Sequence, residues 1–190
     1  MPKSEPELGK QVTNWTEQEL VALAAPVYDV YYPETTWSEV LPGLTLGGTD
    51  PSEDLLRAGA SAFGITDPYI TKENFDTVVT LYAWARPVDW FVKELRFGIL
   101  DSDMGDFDMT EIRKLVVAAH TDWKAGRRVL IRCQAGINRS SLIMALVLIR
   151  EGYSARKAVD LLREKRGGAV LANPNFHDWL LQLDVRKWRD

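Results

Sequence analysis

A single cysteine, Cys133, closes the apolar run Val129-Leu130-Ile131-Arg132 and opens the stretch Cys133-Gln134-Ala135-Gly136-Ile137-Asn138-Arg139-Ser140. A second apolar run, Leu142 to Ile149, follows at once. The pattern predicts a buried strand, a loop with glycine in its middle, and a buried helix opened by an arginine. A loop entering a helix N-terminus aims successive backbone N–H groups into one concavity, and the helix dipole adds to the field. Such a concavity holds an anion. Arg139 can present its planar fork to two phosphate oxygens. Gly136 permits a turn that a Cβ resists. Cys133 would lie beneath the concavity, where the field that holds a phosphate dianion also favours thiolate over thiol. One cradle would then bind a phosphate and ionise a nucleophile. A buried structural cysteine at a strand end is the plainer explanation. It leaves Gly136, Arg139 and the apolar helix with no common purpose.

The composition narrows the alternatives. The chain has 190 residues, 46% hydrophobic and 26% charged, with a net charge of −4. These values suit one globular domain with a substantial core and exclude a mostly disordered chain. One cysteine excludes an internal disulfide and a four-cysteine zinc site, and two histidines, His120 and His177, argue against a histidine cluster. No metal or cofactor is expected. The mild acidity argues against a whole-surface nucleic-acid binder. The first residues lack the apolar core of a signal peptide, and the longest apolar run falls short of the roughly 20 residues that span a bilayer. The expectation is a soluble cytoplasmic protein, with no membrane contact and a reduced thiol at Cys133.

Several elements must position that loop. Residues 1–14 read as a flexible tail and 15–190 as a single domain. Thr16-Glu17-Gln18-Glu19 is a capping box that predicts a short helix. Leu44 and Leu46, between glycines, predict a short strand. Ser52 to Ala58 would form one or two helical turns, and 59–75 a loop or insertion. Phe75 to Leu81 is β-branched and reads as a buried strand. Val88 to Lys93 reads as a helical turn, and Leu95 to Leu100 as a further strand. Asp108 and Glu111 cap a helix that carries Ile112, Leu115, Val116 and Ala119 at helical spacing and stops at Gly126. Val129 to Ile131 is the strand before Cys133. Helices follow at Ser140–Arg150, at Ala155–Lys165, and from Asn173-Pro174 through Leu183. Strands alternating with helices give an α/β class.

The stretch Cys133 to Ser140 resembles the C-x₅-R-[ST] loop of cysteine-dependent protein tyrosine phosphatases, closest to the dual-specificity group. Ser38 to Gly47 resembles that family's opening strand. Leu161-Leu162-Arg163 to Arg166, then Pro174-Asn175-Phe176 and Leu180, resembles its closing segment. The overall pattern is similar to that of actinobacterial or phage members. The resemblance implies a central, mostly parallel twisted sheet flanked by helices. It also implies removal of phosphate from phosphotyrosine, and from phosphoserine or phosphothreonine, in proteins. Cys133 would attack phosphorus and form a phosphocysteine, and water would then hydrolyse it. Gln134, Ala135, Gly136, Ile137, Asn138 and Arg139 would bind the phosphate. Arg139 would stabilise the equatorial oxygens, and Ser140 would donate to the departing thiolate. The family places its general acid about thirty residues before the cysteine. Asp103 matches small members by its spacing to Phe107 and Met109, and Asp101 matches others by its distance from the strand. Asp103 is the first choice and Asp101 the alternative. Asp108 reads as an N-cap, and Asp106 has no special support. One departure stands out: Arg132 occupies the position before the cysteine, where members of the resembled family usually carry histidine.

Other functions fit less of the chain. Asp101-Ser102-Asp103 resembles the D-x-D of magnesium-dependent haloacid-dehalogenase-like phosphatases, but the lysine and acidic pair they need are not evident. A non-catalytic phosphate-binding module would not need both Cys133 and Arg139. A redox thiol protein would lack a second cysteine. On the same fold, an RNA 5′-phosphatase shares a similar Asn-Arg pair, and a phosphoinositide phosphatase would carry lysines in the loop. The uncharged Gln134, Ala135, Ile137 and Asn138 favour a phosphoprotein. Tyr82, Trp84, Arg86 and Trp90 follow a strand where the family shapes its pocket rim, and aromatics there can stack on a phosphotyrosine ring.

Overall fold

The structure is a computed structural model that describes residues 33, 35–49, 70–105 and 107–189. All four residues of Val129–Arg132 are buried, as in a strand covered on both faces. This strand, β5, is central to a five-stranded sheet with β1 Trp37–Leu41, β2 Leu44–Gly47, β3 Thr77–Thr80 and β4 Lys93–Arg96, in the order β1-β2-β5-β3-β4. β2, β5, β3 and β4 run parallel, and β1 pairs antiparallel with β2. The expected α/β class and mostly parallel sheet are what the chain adopts. Inserting β5 between β2 and β3 brings its C-terminal loop out at a switch point, where crevices form in open parallel sheets.

Four helices follow in the described residues: α1 Met109–Lys124, α2 Arg139–Glu151, α3 Ala155–Arg166 and α4 Pro174–Gln182, with a 3₁₀ turn at Val185–Trp188. They share one core with Leu44, Leu46, Val79, Leu81, Val129 and Ile131 of the sheet. The alternate residues Val78 and Leu130 face the other way, against Ile70, Phe75 and Val92. In α2, residues Ser140 through Ile149 are all buried, so its apolar circumference is explained. Asp108 accepts from Thr110 N and Glu111 N and caps α1 as expected. Gly152 ends α2 in the left-handed region, with φ 115°.

Three expectations change. The single strand around Leu44 and Leu46 is a hairpin. Its first arm, Trp37–Leu41, buries only Val40 and lies at the sheet edge, so it lacks a strong apolar signal. Val88 to Lys93 is not a helical turn. Asp89 Oδ1 accepts from Phe91 N at 2.9 Å, Asp89 O accepts from Val92 N at 3.0 Å, and β4 begins at Lys93. Trp90 and Phe91 are exposed there, so apolar residues with no buried face imitated a helical stripe. The strand expected at Leu95 to Leu100 starts earlier and ends at Arg96, where its partner β3 ends. The capping box at Thr16, the turns at Ser52 to Ala58, most of the 59–75 insertion and Asp106 lie outside the described residues.

Candidate active site

The loop after β5 wraps the sulfur of Cys133, which is 1% exposed. Gly136 N donates to Sγ at 3.3 Å, and Ser140 Oγ lies 3.2 Å from Sγ. The carbonyls of the loop are tied outward one after another. Gln134 O accepts from Thr49 N at 2.8 Å and from Thr49 Oγ1 at 3.1 Å. Ala135 O accepts from Arg166 Nη2 at 3.3 Å, and Gly136 O from Arg166 Nε at 2.7 Å. Ile137 O accepts from Leu171 N at 2.9 Å. A peptide whose carbonyl is fixed outward turns the following N–H inward, so the concave face of the loop is a nest of donors. Gly136 adopts φ 68°, which the turn requires. Gly48 allows the loop to pack close, since a Cβ there would stand 2.7 Å from Gln134 O.

Arg139 opens α2 at the rim of this nest. Its Nη1 and Nη2 make only long contacts, 3.4 Å to Ile99 O and 3.4 Å to Gln134 Oε1. Its Nε is buried without a hydrogen-bond partner among the described residues and lies 3.9 Å from Asp101 Oδ2. The Tyr82 ring packs 5.4 Å from the guanidinium carbon. Asn138, the N-cap of α2, does not cap it. Its Nδ2 instead donates to Asp101 Oδ2 at 3.1 Å, and its Oδ1 accepts from Asn173 N at 3.0 Å. The first N–H groups of α2 are therefore not taken up by a capping side chain.

The two candidate acids are placed differently. Asp101 takes Asn138 Nδ2 on one oxygen and Asn173 Nδ2, at 2.9 Å, on the other. Asn173 Nδ2 also reaches Ser102 O at 2.8 Å, which ties the loop of Asp101 and Asp103 to the start of α4. Asp103 Oδ1 accepts from Gly105 N at 2.7 Å and closes a local turn. Of the aromatic residues expected at the rim, Tyr82 lies against Arg139 and Trp84 follows on the same loop. Trp90 precedes β4 and belongs to the opposite, N-terminal end of the parallel strands. His120 pairs with Glu151 at 2.8 Å, and His177 lies 3.0 Å from Asp178, both apart from the loop.

Arg166, Leu171 and Asn173 were not among the expected site residues. Arg166 is 7% exposed and also donates to Thr35 O, Thr36 O and Ser38 Oγ, at 3.1 to 3.2 Å. Burial pulls its pKa down to about 10, and the nearby Cys133 sulfur opposes the fall. The signal was present in α3, whose buried positions are Ala155, Ala158, Val159, Leu162 and Arg166. A charge that continues an apolar stripe marks a cation held inside the fold. Leu171 has φ 57°, a strained value for a leucine, and holds Ile137 from behind.

Residues 68–186 match the family model described as dual specificity phosphatase, catalytic domain. The chain belongs to the dual specificity phosphatase family. It is 32% identical over 167 residues to Dual specificity protein phosphatase 2 of Homo sapiens, covering 85% of this chain and 46% of that protein. It is 26% identical over 153 residues to MAP kinase phosphatase with leucine-rich repeats protein 3 of Dictyostelium discoideum, covering 78% of this chain and 16% of that protein. The dual specificity phosphatase chain thus spans less than half the length of either relative. Human DUSP28 shares the fold with a TM-score of 0.59 at 22% identity, over 82% of this chain and 93% of that one. Tk-PTP does so with a TM-score of 0.58 at 22% identity, over 80% and 99%. Among the described residues no helix is long and apolar enough to cross a membrane.

Proposed function

We propose that this dual specificity phosphatase domain hydrolyses phosphate monoesters of phosphoproteins through a phosphocysteine. One observation carries the reading: the nest of inward N–H groups stands over Cys133 Sγ, beside an arginine whose buried Nε has no hydrogen-bond partner among the described residues. A phosphate dianion supplies an acceptor for that Nε and for N–H groups that the loop turns inward. In the first step the thiolate attacks phosphorus, the bond to the ester oxygen breaks, and that oxygen takes a proton from a carboxylic acid. In the second step the same carboxylate takes a proton from water, whose oxygen attacks phosphorus. The S–P bond breaks, and Ser140 Oγ, already 3.2 Å from Sγ, donates to the departing thiolate.

We assign the acid to Asp101, in preference to Asp103. Its contacts with Asn138 and its nearness to Arg139 support the assignment, because the proton must be delivered at the loop that holds the phosphate. Asp103 is engaged with Gly105 in its own turn. Phosphoprotein substrates, in a cytoplasmic and reducing setting, fit an unprotected Cys133 and a loop without lysine. The test compares the wild type with Cys133→Ser on phosphotyrosine peptide, phosphoserine peptide, an inositol lipid and triphosphorylated RNA. Turnover of the peptides by the wild type, trapping of a phosphorylated cysteine by acid quench, and loss of both in Cys133→Ser are expected. Turnover that survives in Cys133→Ser refutes the mechanism, and preference for the lipid or the RNA refutes the substrate class.

A further inference from the structure

Arg132 stands immediately before Cys133, and it is 3% exposed. It pairs with Thr80 across β3 and β5, on the sheet face away from the helices. Its Nε donates to Thr80 Oγ1 at 3.0 Å, and its Nη2 donates to Arg86 O and, at 3.4 Å, to Glu94 Oε1. Thr80 Oγ1 in turn donates to Glu94 Oε1 at 2.6 Å. Arg96 completes the network. Its Nη2 donates to Glu94 Oε1 at 2.9 Å and to Arg86 O at 3.2 Å, and its Nη1 to Ala85 O at 2.9 Å and Ala83 O at 3.3 Å.

Two guanidiniums, joined through one carboxylate, thus hold three carbonyls of a single loop: Ala83, Ala85 and Arg86. Charged donors make the stronger hydrogen bonds, and a loop held at three points has little freedom left to lose when a ligand packs on it. That loop leaves the C-terminal end of β3, beside the phosphate nest. Tyr82 at its start lies against Arg139, and Trp84 is 62% exposed. Its neighbour across the rim is the chain at Gly98, where a Cβ would stand 3.4 Å from Ala83 Cβ, and two residues on is Leu100, 66% exposed. The rim on this side exposes Trp84 and Leu100, with Tyr82 buried beneath and Arg86 exposed at the loop's end, and its loop is held from beneath by charge.

We propose that Arg132 is a positioning residue for substrate, which with Glu94 and Arg96 fixes the loop Tyr82–Arg86 as an aromatic wall for the ring of phosphotyrosine. This deepens the phosphatase reading and rests on it. A side chain that flanks the nucleophile is thereby directed at recognition of the leaving group, through a loop, while the thiol is served by Gly136 and Ser140.

The test measures KM and kcat on phosphotyrosine and phosphoserine peptides, vanadate inhibition, and the rate of Cys133 alkylation by iodoacetate. The enzymes are the wild type, Arg132→Met, Glu94→Gln and Trp84→Ala. In Arg132→Met and Trp84→Ala, KM for the phosphotyrosine peptide should rise about threefold to tenfold, the equivalent of one aromatic contact. Glu94→Gln should give a smaller rise in the same direction. KM for the phosphoserine peptide, vanadate inhibition and alkylation should change less than about twofold, since none of them reads the aromatic wall. Altered alkylation or vanadate inhibition in Arg132→Met, with KM unchanged, would place its action on the thiol and overturn the proposal. Should Arg132→Met fail to fold, Trp84→Ala at the surface decides: an unchanged phosphotyrosine KM overturns the wall. A wild type that turns over neither peptide while still binding vanadate refutes the phosphatase reading itself, a separate outcome.

Discussion

Arg166→Met tests whether the phosphate nest is held open from behind. The wild-type guanidinium gives hydrogen bonds to Ala135 O, Gly136 O, Thr35 O, Thr36 O and Ser38 Oγ. Its burial has a cost, because leaving water disfavours the charged form and pulls the guanidinium pKa down to about 10. Methionine, uncharged and of similar length, removes that cost. It also strips a donor from four carbonyls, of which Thr36 O keeps Gly48 N, and an unsatisfied buried acceptor costs about 1–3 kcal/mol. Removing one member of a buried polar network therefore wins over the desolvation relief, and the net loss is about 2–5 kcal/mol. A urea melt followed by tryptophan fluorescence should show the midpoint fall. Ala135 O and Gly136 O are freed to turn inward, so kcat/KM on an aryl phosphate should drop on the order of 100-fold, and vanadate should bind more weakly. Arg166→Lys, which keeps the charge but has one donor group, should fall between. A variant with wild-type midpoint and wild-type vanadate inhibition would refute the view that the carbonyls need pinning.

Further outcomes follow from other contacts. Asp101→Asn should lower kcat on phenyl phosphate about 100-fold to 1000-fold, with a smaller loss on aryl phosphates with better leaving groups. Asp103→Asn should stay within about threefold of the wild type on both substrates, and the reverse result would move the acid to Asp103. Gly136→Ala forces a left-handed φ on a residue with a Cβ, at about 1–2 kcal/mol, and sets that Cβ within 2.6 Å of the Gly47 and Gly48 backbone. Thermal melts should show a loss larger than the φ term alone, with activity falling further than stability. Acid should weaken the fold in a defined window. Burial pushes the Asp122 carboxyl up, but its bonds from Lys93 and Thr77 outweigh burial and hold it below the usual range. Asp76 is held low by Arg128 and Lys72. Groups depressed in the folded state stabilise it fully above their unfolded values and lose that contribution as pH falls through the folded ones. The melting temperature should therefore hold between pH 7 and 5 and fall below about pH 4. Asp122→Asn should lower it at pH 7 and flatten the acid decline.

Much of the molecule was legible from local pattern. The β-branched and apolar runs at Thr77–Thr80 and Val129–Arg132 form strands because both faces are covered. Asp108 and Asn173 start helices because each side chain satisfies a backbone N–H of the first turn. Where local pattern misled, the cause was a missing burial context. Trp37–Leu41 is an edge strand with one buried residue, and Trp90 and Phe91 are apolar without being buried.

The loop from Cys133 to Ser140 shows the division most clearly. Its residue types and spacing are determined by sequence alone, because cysteine, glycine turn and arginine lie within one short stretch whose geometry follows from a strand entering a helix. What orients that loop comes from far along the chain: Thr49 on Gln134, Arg166 on Ala135 and Gly136, Leu171 on Ile137, and Asn173 on Asn138. Only the tertiary structure decided these partners, since a carbonyl can be pinned by any donor that packing brings to it. The same holds for Asp101 and Asp103, two residues apart in sequence and separated only by which one meets Asn138 and Asn173. It holds too for Arg132, whose charge was evident from sequence but whose direction depended on the neighbouring strands that carry Thr80 and Glu94.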